Sequence, residues 1–152
     1  MKLELILRLL GRSEEPQELE QLKLELVHKL DSLPNLGGRR TSPEAFLEKL
    51  ILKISADSTS ECWNWVGTNN NGYGRIEWGV SFRAHRLIKE LIHSPPPKSD
   101  SYACHKCDNP SCVNPDHIYW GDAMSNSIDR ANSRLERYLY GSEHSSSKLN
   151  EE

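Results

Sequence analysis

The sequence has no run of about 18 apolar residues, which excludes a membrane-spanning helix. The opening MKLELILRLL is apolar in part, but Glu4 and Arg8 interrupt it. Arg12, Glu14 and Glu15 follow, and no small-residue cleavage site does, so it reads as mature sequence and not as a signal peptide. A basic excess is also missing. The net charge is −3, and over residues 73–140 nine Lys/Arg stand against eight Asp/Glu. Bulk electrostatics therefore lend no support to nucleic-acid binding, and any case for it must come from a site. Apolar residues are only 36% of the 152, and mean hydropathy is −0.67. That is enough for one compact domain, or a small domain with an appendage, around a lean core of the kind a metal or disulfide often staples. No internal repeat is found. Cysteine is scarce at four, yet Cys104, Cys107 and Cys112 fall close together and are interleaved with His105 and His117. This suits a metal site in a reducing compartment better than disulfides, so a cytoplasmic protein with no membrane partner is expected.

Residues 1–55 read as helices. Leu19, Leu22, Leu26, Leu30 and Leu33 step by three and four, and so share one helical face. Gly11 precedes this stripe, and Pro34 with Gly37-Gly38 ends it. Thr41-Ser42-Pro43-Glu44 is a new start signal, and Phe46, Leu47, Leu50, Ile51 and Ile54 form a second apolar face. These helices are expected to pack on the remaining domain or on a second copy. From Ser55 the texture changes. Cys62–Gly67 alternates and is aromatic like a strand, Thr68–Gly74 reads as a turn, and Arg75–Trp78 as the returning strand of a hairpin that Val80–Arg83 extends. Ala84–His93 has helical spacing, and Pro95-Pro96-Pro97 stops it. Residues 101–120 read as irregular. A last helix is expected to start at Asp122, a good N-cap, and the Ser-rich end reads as a loose polar tail.

The chemistry is concentrated in Cys104-His105-Lys106-Cys107-Asp108-Asn109-Pro110-Ser111-Cys112-Val113-Asn114-Pro115-Asp116-His117. Zinc prefers four N/S ligands in a tetrahedron, and short loops between ligands let the chain wrap the ion. Cys107-x4-Cys112-x4-His117 supplies three. Cysteines acting as small buried hydrophobes would not explain that spacing. The fourth ligand is either Cys104 or the distant Cys62. With Cys104 the loop has the spacing of a zinc knuckle, which binds single strands and cuts nothing. With Cys62 the ion ties the earlier strand to the cysteine loop and leaves His105 available for chemistry.

The string CWNWVG…GYGRI…AHRL…CHKCDNPSCVNPDHI…GDAMSNSIDR, roughly residues 60–135, resembles small phage- and intron-associated HNH endonucleases and the zinc-binding His-Cys box homing endonucleases. Both belong to the ββα-metal (His-Me finger) group. The resemblance implies a general base at His105 and a catalytic Mg²⁺ ligand at Asn126. It implies structural Zn²⁺ on Cys62, Cys107, Cys112 and His117, and a phosphate-contacting arginine at Arg83 or Arg75. The further histidine of the H-N-H pattern has no counterpart among residues 127–134, where Asp129 is a candidate additional ligand. His85 and Arg86 could anchor phosphates or pack their helix.

The expectation is an α+β domain with a β-hairpin, a zinc-stapled loop and a helix in a ββα-metal finger. It comprises a helical segment 1–55, a nuclease domain 56–137 and a flexible tail 138–152. The resemblance implies a divalent-metal-dependent DNA endonuclease, phage- or bacterium-encoded. A double-strand cutter with one site per chain would act as a homodimer. A zinc-knuckle-like nucleic-acid-binding module and a structural zinc domain recruiting a partner through its leucine stripes are the rival readings.

Overall fold

Leucine spacing decides the N-terminal architecture. In the structure, a computed structural model that describes residues 2–33, 38, 40–57 and 59–141, three helices come first: α1 (Lys2–Leu9), α2 (Pro16–Ser32) and α3 (Pro43–Leu52). Gly11, with φ 66°, turns the chain out of α1, as glycine does without a Cβ penalty. Along α2 the stripe buries Leu22, Leu26 and Leu30, with Leu19 and Leu33 partly covered. Ser42 caps α3, its hydroxyl accepting from the Ala45 N–H at 3.2 Å, and Pro43 occupies the first turn. This helix buries Phe46, Leu47 and Leu50, and Phe46 stacks on Trp78 with centroids 4.6 Å apart and planes within 8°. Trp78 also donates its indole N–H to the Thr41 carbonyl at 2.9 Å, so its polar end is satisfied as its ring is buried. The expected end of the α2 stripe at Pro34 and Gly37 lies outside the described residues.

The strands that follow are β1 (Ile54–Ala56), β2 (Trp63–Trp65), β3 (Asn69–Asn70), β4 (Tyr73–Trp78) and β5 (Val80–Arg83), and then comes helix α4 (Ala84–Ile92). Ile54 is therefore a strand residue and not the last member of the α3 face. The helix ends at Leu52, and Ile54 pairs with Trp65 across an antiparallel β1–β2 ladder. Nor does β2 pair with 75–78. The antiparallel partners of β4 are the short β3, through the Asn71-Gly72 turn, and β5, through Gly79 at φ 81°. The order β3-β4-β5 makes Val80–Arg83 a full member of the hairpin.

Two compact units emerge, Met1–Pro95 with His105–Tyr119, and Pro96–Cys104 with Trp120–Glu152. In the first, one apolar cluster joins Ile6 and Leu7 of α1, the α2 stripe, the α3 face, both β2 tryptophans, Ile76 and the buried side of α4. The helical N-terminal segment is thus part of the same core as the strands. Residues 101–120 are more regular than their composition suggests. They include β6 (Tyr102–His105), a 3₁₀ turn (Pro115–His117) and the start of β7 (Ile118–Gly121), which pairs with β6. In the second unit, α5 (Ala123–Gly141) begins where Asp122 accepts from the Ser125 N–H at 2.8 Å, as expected of an N-cap. It continues through 138–141, and residues 142–152 of the expected tail lie outside the described residues. No helix among the described residues is long and apolar enough to cross a membrane. Mixed helix with small antiparallel sheets is an α+β fold.

Candidate functional site

The four candidate zinc ligands are brought together from two distant stretches by backbone pairing. Residues 111–113 run along the second edge of β2: Trp65 N–H donates to Ser111 O at 2.8 Å and Val113 N–H to Trp63 O at 2.7 Å. This bridge sets Cys112 against Asn64, hence next to Cys62. Asn64 also accepts from the Asn109 amide at 2.8 Å and the Ser111 hydroxyl at 3.3 Å. Asn114 is buried, donates to Glu61 O at 2.9 Å and caps the 3₁₀ turn by accepting from Asp116 N–H at 3.0 Å. That turn delivers His117. From the other side, α4 holds it through Lys89 Nζ to Pro115 O at 3.0 Å, and His93, just past the end of α4, reaches Asp116 at 3.2 Å.

The ligand atoms of Cys62, Cys107, Cys112 and His117 all lie within 4.8 Å of one another. His117 Nδ1 is 3.6 Å from Cys62 Sγ and 3.5 Å from Cys112 Sγ. Zinc bonds of about 2.3 Å to sulfur and about 2.0–2.1 Å to nitrogen, at a tetrahedral angle, give an S···N edge of about 3.6 Å. The observed edges fit, and the cluster could hold a metal ion such as zinc. The surroundings shift the three thiols differently. Burial pushes the Cys112 thiol up to about 12 and the Cys107 thiol above its usual value. For Cys62, burial is outweighed by hydrogen bonds from Asn109, Ser60 and Cys112, and the thiol falls below its usual value. A divalent cation would allow all three to ionise together. Cys104 is outside this set. It is buried, with Sγ 3.8 Å from Tyr102 O and 4.0 Å from Asn126 Oδ1. The cluster that the described residues bring together thus includes Cys62 and not Cys104.

His105, at the end of β6, is held by the same loop. Its Nε2 lies 2.8 Å from the Cys112 carbonyl oxygen, and a carbonyl can only accept, so Nε2 carries a proton, and in the neutral ring Nδ1 keeps its lone pair. Burial lowers the His105 pKa, against the opposing effects of that carbonyl and of Asp108, and so favours the neutral ring. Two aromatic rings flank it: His85, with centroids 4.8 Å away, and Tyr73 at 6.0 Å. The sequence pattern marks neither as part of a base site. For Tyr73 the available signal was an aromatic residue directly after the Asn-Gly turn. For His85 the alternatives of phosphate anchor and packing residue resolve toward packing, because it is 2% exposed.

The two arginines stand opposite each other in the β4–β5 register, Arg75 against Arg83, so their side chains leave the sheet on one face. Arg75 also reaches Ser81 Oγ at 3.5 Å. Like charges directly opposite are destabilising by themselves, and an anion between them would relieve this. Arg83 is exposed, directly before the first turn of α4. Asn126 belongs to the second unit, in the first turns of α5, and its oxygen has the long contact to Cys104 Sγ already given. Asp129 lies three residues further along the same helix, about one turn on.

No protein-family model matches the chain, and no solved structure matches it. Two proteins of Escherichia phage T7 are similar to it. Protein 2.8 is 38% identical over 110 residues, 69% of this chain and 68% of that protein. Protein 7.7 is 39% identical over 72 residues, 45% of this chain and 54% of that protein. Neither name states an activity. With more than two thirds of Protein 2.8 matched at that identity, the chain belongs to the family of phage T7 Protein 2.8.

Proposed function

We propose that this chain is a divalent-metal-dependent DNA endonuclease of the HNH (His-Me finger) type, with His105 as general base and a structural zinc ion on Cys62, Cys107, Cys112 and His117. The observation that carries the reading is the His105 hydrogen bond. A water-activating base needs a neutral imidazole with one nitrogen committed elsewhere and the other presenting a lone pair. His105 has Nε2 on the Cys112 carbonyl at 2.8 Å, on a loop whose ligands are close enough to be clamped by one ion. As Nδ1 takes a proton from water, the ring becomes cationic, and the Cys112 carbonyl and Asp108 stabilise that charge. Zinc supplies rigidity only: bound, it fixes the segment from which that carbonyl projects.

The arginine pair supports an anionic substrate. Arg75 and Arg83 lie side by side on a face they share with Glu77, on a chain whose net charge is −3, so attraction for phosphate would be local to this pair rather than spread over the molecule. Mg²⁺ held by Asn126 would neutralise charge on the phosphoryl group and the leaving oxygen. A single neutral oxygen suits such an ion, which keeps most of its waters and binds largely through phosphate. The weak thiol contact at 4.0 Å leaves the amide oxygen of Asn126 open to a harder partner. The test is conversion of supercoiled plasmid to nicked or linear DNA by the zinc-loaded full chain, with Mg²⁺ and with chelator. Mg²⁺-dependent conversion is expected. Binding without cleavage would instead favour a nucleic-acid-binding module.

A further inference from the structure

The Cys112 carbonyl fixes one end of the His105 ring, and one end is not enough. The backbone of β6 sets Cβ, the χ1 rotamer sets Cγ, and the hydrogen bond restrains Nε2, which lies across the ring from Cγ. What remains soft is χ2, rotation of the ring about the Cβ–Cγ bond. Nδ1 lies off that axis, so a swing of about 20° moves it by about 0.4 Å, close to the tolerance of about 0.5 Å within which a positioned group must be held. A hydrogen bond to Nε2 resists this motion weakly, because Nε2 lies close to the axis. Groups against the ring faces resist it directly.

We infer that His85 is the positioning residue that supplies this restraint, its imidazole packing on His105 and fixing the direction of the Nδ1 lone pair. The inference rests on the endonuclease reading for its consequence in catalysis, but not for its geometry. His85 is 2% exposed in the first turn of α4, and its ring is 4.8 Å from that of His105 at 34°. Tyr73 completes the group at 5.6 Å from His85 and 6.0 Å from His105. Tyr73 is 39% exposed and its ring lies farther from that of His105 than the His85 ring does, so it is the weaker restraint. His85 is firmly held: Ala84 before it and Leu87 and Ile88 after it are buried in the core cluster. At that depth His85 cannot reach a substrate phosphate, so it acts through His105.

The test compares His85→Ala and His85→Phe in the zinc-loaded full chain, by cleavage kinetics and by exchange of the His105 Nε2 proton in ¹H–¹⁵N spectra. Removing the ring is expected to lower kcat about 10- to 100-fold, the scale of a misplacement of up to 1 Å. KM should stay within about twofold, zinc should remain at one per chain, and the Nε2 proton should exchange faster. His85→Phe restores a flat ring, and should recover most of kcat and the slow exchange. If His85→Ala fails to retain zinc, His85→Val replaces it in the same comparison. Normal kcat and unchanged exchange on removing the ring would overturn the inference, as would a phenylalanine variant no better than alanine. If the unmutated chain cuts no DNA, the endonuclease reading falls, and proton exchange alone decides the positioning role.

Discussion

Replacing Cys62 with serine separates the two ways of closing the metal site. Cys62 and Cys107 are 45 positions apart, and the ion would cross-link them as a disulfide does. On the chain-entropy scale for cross-links, closing a loop of that length is worth about 4 kcal/mol. Whole structural zinc sites contribute more, about 10 kcal/mol or above. Small domains are stable by only about 5–15 kcal/mol. Cys62→Ser should therefore lose stoichiometric zinc and most of its cooperative melting transition, while Cys104→Ser keeps one zinc per chain and melts near the unmutated protein. Zinc content by elemental analysis and thermal unfolding by circular dichroism read both. Chelator should destabilise the unmutated chain and Cys104→Ser but add little to Cys62→Ser, since the same interaction cannot be removed twice. A Cys62→Ser protein that retains zinc and its melting temperature, beside a Cys104→Ser protein that loses them, would refute the assigned ligand set.

Other outcomes follow from the same geometry. His105→Ala should reduce cleavage by about 10²–10⁴ with zinc and DNA affinity nearly unchanged; loss of zinc would make it a ligand instead. Because burial lowers the His105 pKa, its neutral form persists to lower pH, so activity should rise with pH and level off with a midpoint below the usual value of about 6.5. A midpoint above that value would contradict the burial argument. Asn126→Ala should keep the zinc while raising the Mg²⁺ concentration needed for cleavage, and full activity at ordinary Mg²⁺ would remove it from the site. Gly74→Ala would place a Cβ 2.6 Å from the ring of buried Trp65, so thermal stability should fall by about 1–3 kcal/mol. An unchanged melting temperature would show that the indole can move aside.

What could be read in the chain without its coordinates was mostly local. The leucine steps of α2, the Ser42-Pro43 start of α3, the span of α4 and the Asp122 cap of α5 depend on neighbours a turn away. So does the Cys107–Cys112–His117 spacing. Pairing was not legible. Alternation marks Trp63–Trp65 as a strand but does not say whether its partner is Ile54–Ala56 or Arg75–Trp78, and Thr68–Gly74 read as a single turn points to the wrong ladder. Ile54 follows Leu50 and Ile51 at helical spacing, and only pairing with Trp65 pulls it into a strand. The choice between Cys62 and Cys104 was open for the same reason: it depends on residues 111–113 docking along β2. His85 was undecided because its ring contact is with a residue twenty positions away.

The docking of residues 111–113 has a consequence for the order of events during synthesis. One edge of β2 is matched by β1, which is made just before it; the other edge finds its partners only when Ser111 and Val113 have left the ribosome. Until then Trp63 and Trp65 form a short aromatic strand with backbone groups exposed on one side, the kind of edge that recruits other chains. The helices and α4 can already enclose much of the apolar cluster at that stage. Capture of the ion by Cys62, Cys107, Cys112 and His117 would then act as a latch that closes the edge last. In cells short of zinc, the expected failure is accumulation of aggregates formed through β2, with the helical part of the chain already folded.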